Sequence, residues 1–180
     1  MKTILVFVLV TTFFYDTTVA QTDTITVGVP VRLGWNLLSN PVYRVTGTDS
    51  ICQVYPGVSP CCYPLVGSGG YGCDYRMHSG QGYWLKVLPG FPTVDSVVYI
   101  TGEPIARDSV LVASGWNLIG SISYPVATNS VTSIPTGIIR SGFYYHRSGY
   151  LVADTIHPGW GYWVKVSQPG SIVLSSTGQR

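Results

Sequence analysis

The stretch LGWNLLS at residues 33–39 is spelled again, almost letter for letter, as SGWNLIG at 114–120. Working outward, more words recur in the same order. LGWNLLSNPV (33–42) pairs with SGWNLIGSISYPV (114–126), and HSGQGYWLKV (78–87) pairs with HPGWGYWVKV (157–166). Between them GSGGY (67–71) lines up with HRSGY (146–150), and each copy then runs into an apolar stretch, DSVVYITG (95–102) or GSIVLSSTG (170–178). Self-similarity of this kind marks a repeated supersecondary unit. It predicts two copies, 21–103 and 104–180.

Helical periodicity is absent. Short alternating runs rich in Val, Ile, Tyr and Thr are separated by Gly, Pro and Ser clusters, the pattern of an all-β chain. In GYWVKV, alternation groups Tyr162, Val164 and Val166 against Trp163 and Lys165; GYWLKV groups Tyr83, Leu85 and Val87 against Trp84 and Lys86. The same rule groups Val31, Leu33, Trp35 and Leu37, and, if a bulge at Gly115 is passed over, Val110, Val112, Trp116 and Leu118. This places Trp35 and Trp116 in the core, with the glycine permitting the bend beside the ring and the asparagine holding the turn that follows. The predicted architecture is all-β: two homologous halves in tandem, each a small β-sandwich or open barrel, with one core shared between them as an option.

The pairing of GWNL(L/I) with a later GYW(L/V)KV, followed by a strand and another GWNL, resembles a repeat found in many secreted and cell-surface bacterial proteins, often near their C-termini. The resemblance covers essentially all of the chain after residue 20. It implies a β-rich extracellular module of bacterial origin without a catalytic role, and carries over no binding residues. The cysteine cluster, and the lack of a sorting tail after Arg180, depart from the usual pattern of that repeat.

Residues 1–20 read as a secretory signal peptide: Lys2, an apolar run from Ile4 to Phe14, then Thr18 and Ala20 before a cut ahead of Gln21. The run is too short for a membrane span, which takes about 20 residues, and no later stretch is long and apolar enough. Charged residues make up 10% of the chain, against about 25% in ordinary soluble domains, so little electrostatic repulsion keeps copies apart. The formal net charge is +2 and the basic residues are scattered, which argues against nucleic acid or anionic lipid as a partner. Cys52, Cys61, Cys62 and Cys73 are read as two disulfides of a secreted chain, Cys61 and Cys62 each reaching to Cys52 or Cys73 because adjacent cysteines bridge poorly. A zinc site is the alternative, although no CxxC spacing accompanies them.

Candidate binding residues follow from exposure and from divergence between the copies. Trp84 and Trp163 each share a strand face with a lysine, which favours an exposed aromatic suited to stacking on sugar rings. Trp160 stands where the first copy has Gln81, in a Pro-Gly loop read as exposed. The segment RSGFYYHRSGY (140–150) crowds Tyr144, Tyr145, His146, Arg147 and Tyr150 together. His78 and His157, aligned in the two copies behind Asp74 and Asp154, are read as capping the turn into the GYW strand rather than as general bases. No nucleophile motif, paired-carboxylate arrangement, metal set or phosphate-cradling loop is expected, hence no catalytic residues and no cofactor. The expected role is a noncatalytic secreted or cell-surface structural and adhesion module that self-associates through weakly charged edge strands. The alternative is a carbohydrate-binding module using the exposed tryptophans and tyrosines, its partner a cell-surface polysaccharide or protein.

Overall fold

Alternation along Ile25–Val31 sends Val27, Val29 and Val31 inward and leaves the residues between them facing out, so the strand needs a partner and a second layer. The partner is Ser96–Pro104, antiparallel from Ile25 opposite Gly102 to Val31 opposite Ser96. The second layer is the GWN strand, Gly34–Ser39, paired with the GYW strand, Gly82–Val87. Val27, Val29, Val31, Val98 and Ile100 of one layer meet Leu38, Tyr83, Leu85 and Val87 of the other in a single cluster. The computed structural model describes residues 23–44, 50–56, 58–59, 61–66, 69–89 and 96–176. The segment read as a signal peptide lies outside the described residues.

The second copy repeats this topology. Arg107–Val112 pairs with Gly170–Ser175, and Gly115–Ile119 with Tyr162–Val166. Phe143–His146 and Tyr150–Ala153 form a hairpin that extends the GYW sheet through Tyr144 opposite Trp163. In the first copy the short hairpin Leu65–Val66 with Gly70–Tyr71 does the same, through a bridge from Tyr63 to Trp84. Among the described residues the fold is all-β apart from the four-residue helix Ile51–Val54 and a turn of 3₁₀ helix. None of the sheets among the described residues closes into a barrel, and no helix among them is long and apolar enough to cross a membrane.

Of the two options for the core, separate clusters are found, one per copy, and among the described residues Trp160 packs against both. One expectation about the core is corrected. Trp35 and Trp116 are not core residues: they are 48% and 49% exposed. The reason is the glycine before each. Gly34 has φ +89° and Gly115 φ +99°, a left-handed conformation open to glycine, and this bend resets the alternation between the leading strand and the GWN strand. The asparagine staples the bend that precedes it, not a turn that follows. Asn36 accepts from the Arg32 N–H at 2.9 Å and donates to the Arg32 and Gly34 carbonyls at 2.7 and 2.9 Å. Asn117 makes the same three bonds to Ala113 and Gly115.

Of the two disulfides expected, one is present and the second is corrected. Cys61 and Cys73 form a disulfide, while Cys52 is free and exposed and Cys62 free and buried. Cys62 is fully buried within the first core cluster, its thiol donating to the Asp74 and Arg76 carbonyls, and so it does not meet a cysteine at the surface of the short helix. Burial pushes that thiol up to about 12, helped by the Asp74 carboxylate.

The copies meet reciprocally. Leu38 bridges to Trp160, and its counterpart Ile119 bridges to Gln81, the counterpart of Trp160. The Ser39 N–H donates to the Gly159 carbonyl at 2.8 Å, as the Gly120 N–H does to Gly80 at 2.8 Å. A contact in which i meets j′ and j meets i′ is isologous, the mark of a twofold relation. Ser39, Ser121 and Ser123 fill this seam with hydrogen bonds between the copies.

Candidate binding face

With the alternation reset, register places Trp35 opposite Lys86 and Leu37 opposite Trp84 on the outward face of the GWN–GYW sheet. In the second copy Trp116 stands opposite Lys165 and Leu118 opposite Trp163. The two leucines are nevertheless buried; each lies against the other copy's GYW glycine, Leu37 near Gly161 and Leu118 near Gly82. The tryptophans remain partly open and pack edge to face, Trp35 on Trp84 with centroids 6.5 Å apart and Trp116 on Trp163 at 6.4 Å. Tyr63 and Tyr144 occupy matching places, 5.6 and 5.9 Å from Trp35 and Trp116. The Lys86 ammonium sits 5.9 Å from the Trp35 ring centroid, within cation–π range.

The hairpins stand between these two aromatic groups and each contributes to both. Tyr71 accepts from the Trp84 indole N–H at 3.2 Å and also lines the cleft of about 750 Å³ formed with Trp116, Tyr144, Tyr150 and Trp163. His146 of the second copy packs 4.9 Å from Trp84 and helps line the matching cleft of about 470 Å³ with Trp35, Tyr63 and Tyr71. Burial, and then the nearby Tyr71, push the Tyr150 hydroxyl above the usual phenol range. The Trp163 indole N–H is buried with no hydrogen-bond partner among the described residues, unlike that of its counterpart Trp84. The larger cleft has no charged residue in its lining.

Of the residues singled out in the sequence, Trp84, Trp163, Tyr144, His146 and Tyr150 are brought together on this face. Tyr145 alternates to the other side of its strand, stacking 5.1 Å from Trp160. Trp160 is not a free loop aromatic, since it packs between the two cores and against His157. Arg147 lies in the hairpin loop, its N–H donating to the Gly149 carbonyl. The turn into each GYW strand is closed by the tyrosine, not by an imidazole: the His78 and His157 backbone N–H groups donate to the Tyr83 and Tyr162 hydroxyls at 2.8 and 2.7 Å. Among the described residues no group of three His, Cys, Asp or Glu side chains converges as a metal set.

Sequence reasoning missed Trp35, Trp116, Tyr63 and Tyr71. The signal that would have found the tryptophans is the glycine immediately before each, a place where the strand phase can restart. Strand register also revises the alignment of the copies: Leu65 pairs with Tyr71 as His146 pairs with Tyr150, so Leu65, not Gly67, is the counterpart of His146. No known protein family, curated protein or solved structure matches this chain.

Proposed function

We propose that the protein is a noncatalytic extracellular binding module whose aromatic face takes a neutral saccharide chain. The observation that carries this reading is the charge-free cleft walled by Trp116, Trp163, Tyr71, Tyr144 and Tyr150. Pyranose rings present flat C–H faces edged by hydroxyls. Partly open indole and phenol rings on paired strands offer the complementary surface, and the tyrosine hydroxyls and the Ser114 side chain at the cleft supply hydrogen bonds. The secreted location belongs to the same proposal, supported by the intramolecular disulfide and by the signal-like N-terminus.

The test is a panel of soluble neutral polysaccharides titrated against tryptophan fluorescence. A saturable shift, much reduced in Trp163→Ala, is the expected result; no shift across the panel overturns the proposal. Adhesion through self-association has its own observation. Tyr150–Ala153 is the edge of the four-stranded sheet and carries Leu151 and Val152 at 46% and 66% exposure, an unguarded edge by the usual measures. Concentration-dependent sedimentation that Val152→Lys abolishes is the outcome this second reading requires.

A further inference from the structure

The two clefts are built from matching residues, and each is completed by the opposite copy. Trp35, Tyr63 and Trp84 are joined by His146; Trp116, Tyr144 and Trp163 are joined by Leu65 and Tyr71. This exchange has the same reciprocal form as the bridges from Leu38 to Trp160 and from Ile119 to Gln81. A twofold relation reverses direction along the face. A saccharide chain is directional, with a reducing and a non-reducing end, so a chain that fits one cleft in one sense fits the other only in the opposite sense.

We infer that the clefts are two subsites of opposite polarity, and that the protein bridges two saccharide chains rather than gripping one chain along its length. The inference rests on the saccharide reading above and assigns it a mode of action: cross-linking. It also explains why duplication is used at all, since neither copy alone encloses a complete cleft. The subsites are alike but not equal. Where the second subsite receives the apolar Leu65, the first receives His146, whose ring stands 4.9 Å from Trp84 and 5.6 Å from Tyr150. That substitution narrows the first cleft and adds a polar ring to it, so the two affinities differ.

The experiment uses cellohexaose and N-acetylchitohexaose as short probes, and hydroxyethylcellulose and glycol chitin as their polymers. Calorimetry with a hexasaccharide is expected to give two sites per protein of unequal affinity. Light scattering with the matching polymer is expected to rise through a maximum and fall again at excess polymer, as bivalent cross-linking requires. Trp35→Ala and Trp116→Ala each remove one site, keep the other, and lose the scattering maximum. Both side chains are about half exposed, so neither change hollows a core. One site per protein, loss of all binding in either single variant, or a scattering maximum that survives both variants overturns the cross-linking inference and leaves the saccharide reading standing. No binding of any of the four probes counts against both.

Discussion

Asn36 and Asn117 each close a bend that the backbone cannot close for itself. A strand that turns through a left-handed glycine leaves N–H and C=O groups without a ladder partner. The asparagine amide, acceptor and donor on one planar group, supplies both. Removing it loses those bonds, which are part-buried around Arg32 and open to solvent around Ala113, and a hydrogen bond contributes a net of about 0.5–1.5 kcal/mol. Asn117→Ala and Asn36→Ala are therefore each expected to lower the urea unfolding free energy by that amount. The neighbouring Trp116→Ala should cost less because its ring is half in water. A negligible loss in both asparagine variants would show that the bend holds without its staple.

The strands and their inserts carry buried hydroxyls that link stability to pH. Tyr162 closes the turn into its GYW strand, and Tyr55, just past the short helix, donates to the Ser39 carbonyl at 2.8 Å and to the Gly159 carbonyl at 3.1 Å. Burial pushes both phenols far above their ordinary value of 10.0. The folded state therefore keeps protons that the unfolded chain releases once the pH passes about 10. Unfolding then releases protons, so this stabilisation is complete below pH 10 and falls as pH rises, by about 1.4 kcal/mol per pH unit for each group. The Cys62 thiol adds the same sign of effect from pH 9.0 upward, toward about 12. Urea midpoints measured from pH 8 to 11.5 should decline steeply above pH 10, with a shallower decline in Tyr55→Phe. Parallel slopes in the two proteins would refute the assignment to Tyr55.

Across the whole molecule, the seam between copies decides whether the aromatic face is assembled. The glycines of the GYW words are there for closeness: a Cβ on Gly82 would stand 2.6 Å from the Ile119 carbonyl oxygen, and one on Gly161 would stand 3.0 Å from that of Leu38. Gly82→Ala must push backbone apart at the twofold, a strain of about 1–3 kcal/mol. At Gly115 a Cβ meets nothing within 4 Å, and the cost there is backbone conformation alone, about 1–2 kcal/mol. The two variants separate by readout. Gly82→Ala is expected to reduce saccharide binding as well as stability, because the clefts are assembled across the seam, whereas a binding loss no greater than that of Gly115→Ala would mean that the seam tolerates the shift.

The duplication, the all-β class and the sorting of Tyr83, Leu85 and Val87 from Trp84 and Lys86 were legible in the residues themselves, because strand alternation is local and its period is fixed by the backbone. Of the face residues, Trp84 and Trp163 were legible for the same reason, whereas Tyr144, His146 and Tyr150 were picked out by divergence between the copies and by their crowding in 140–150. Where reading along the chain failed, a nonlocal fact intervened. Alternation was carried through Gly34 and Gly115, which sent Trp35 and Trp116 to the wrong side. Trp160 diverges from Gln81 and was read as an exposed loop aromatic, but it packs against both cores. Cys62 had a partner on paper and a core position in space. The sequence by itself determined the all-β class and the two sides of the GYW strands. Only the tertiary structure decided that the repeated tryptophans face outward and that each copy completes the other's cleft, because a twofold seam is a contact between segments far apart in the chain, and no local pattern encodes which segments will meet.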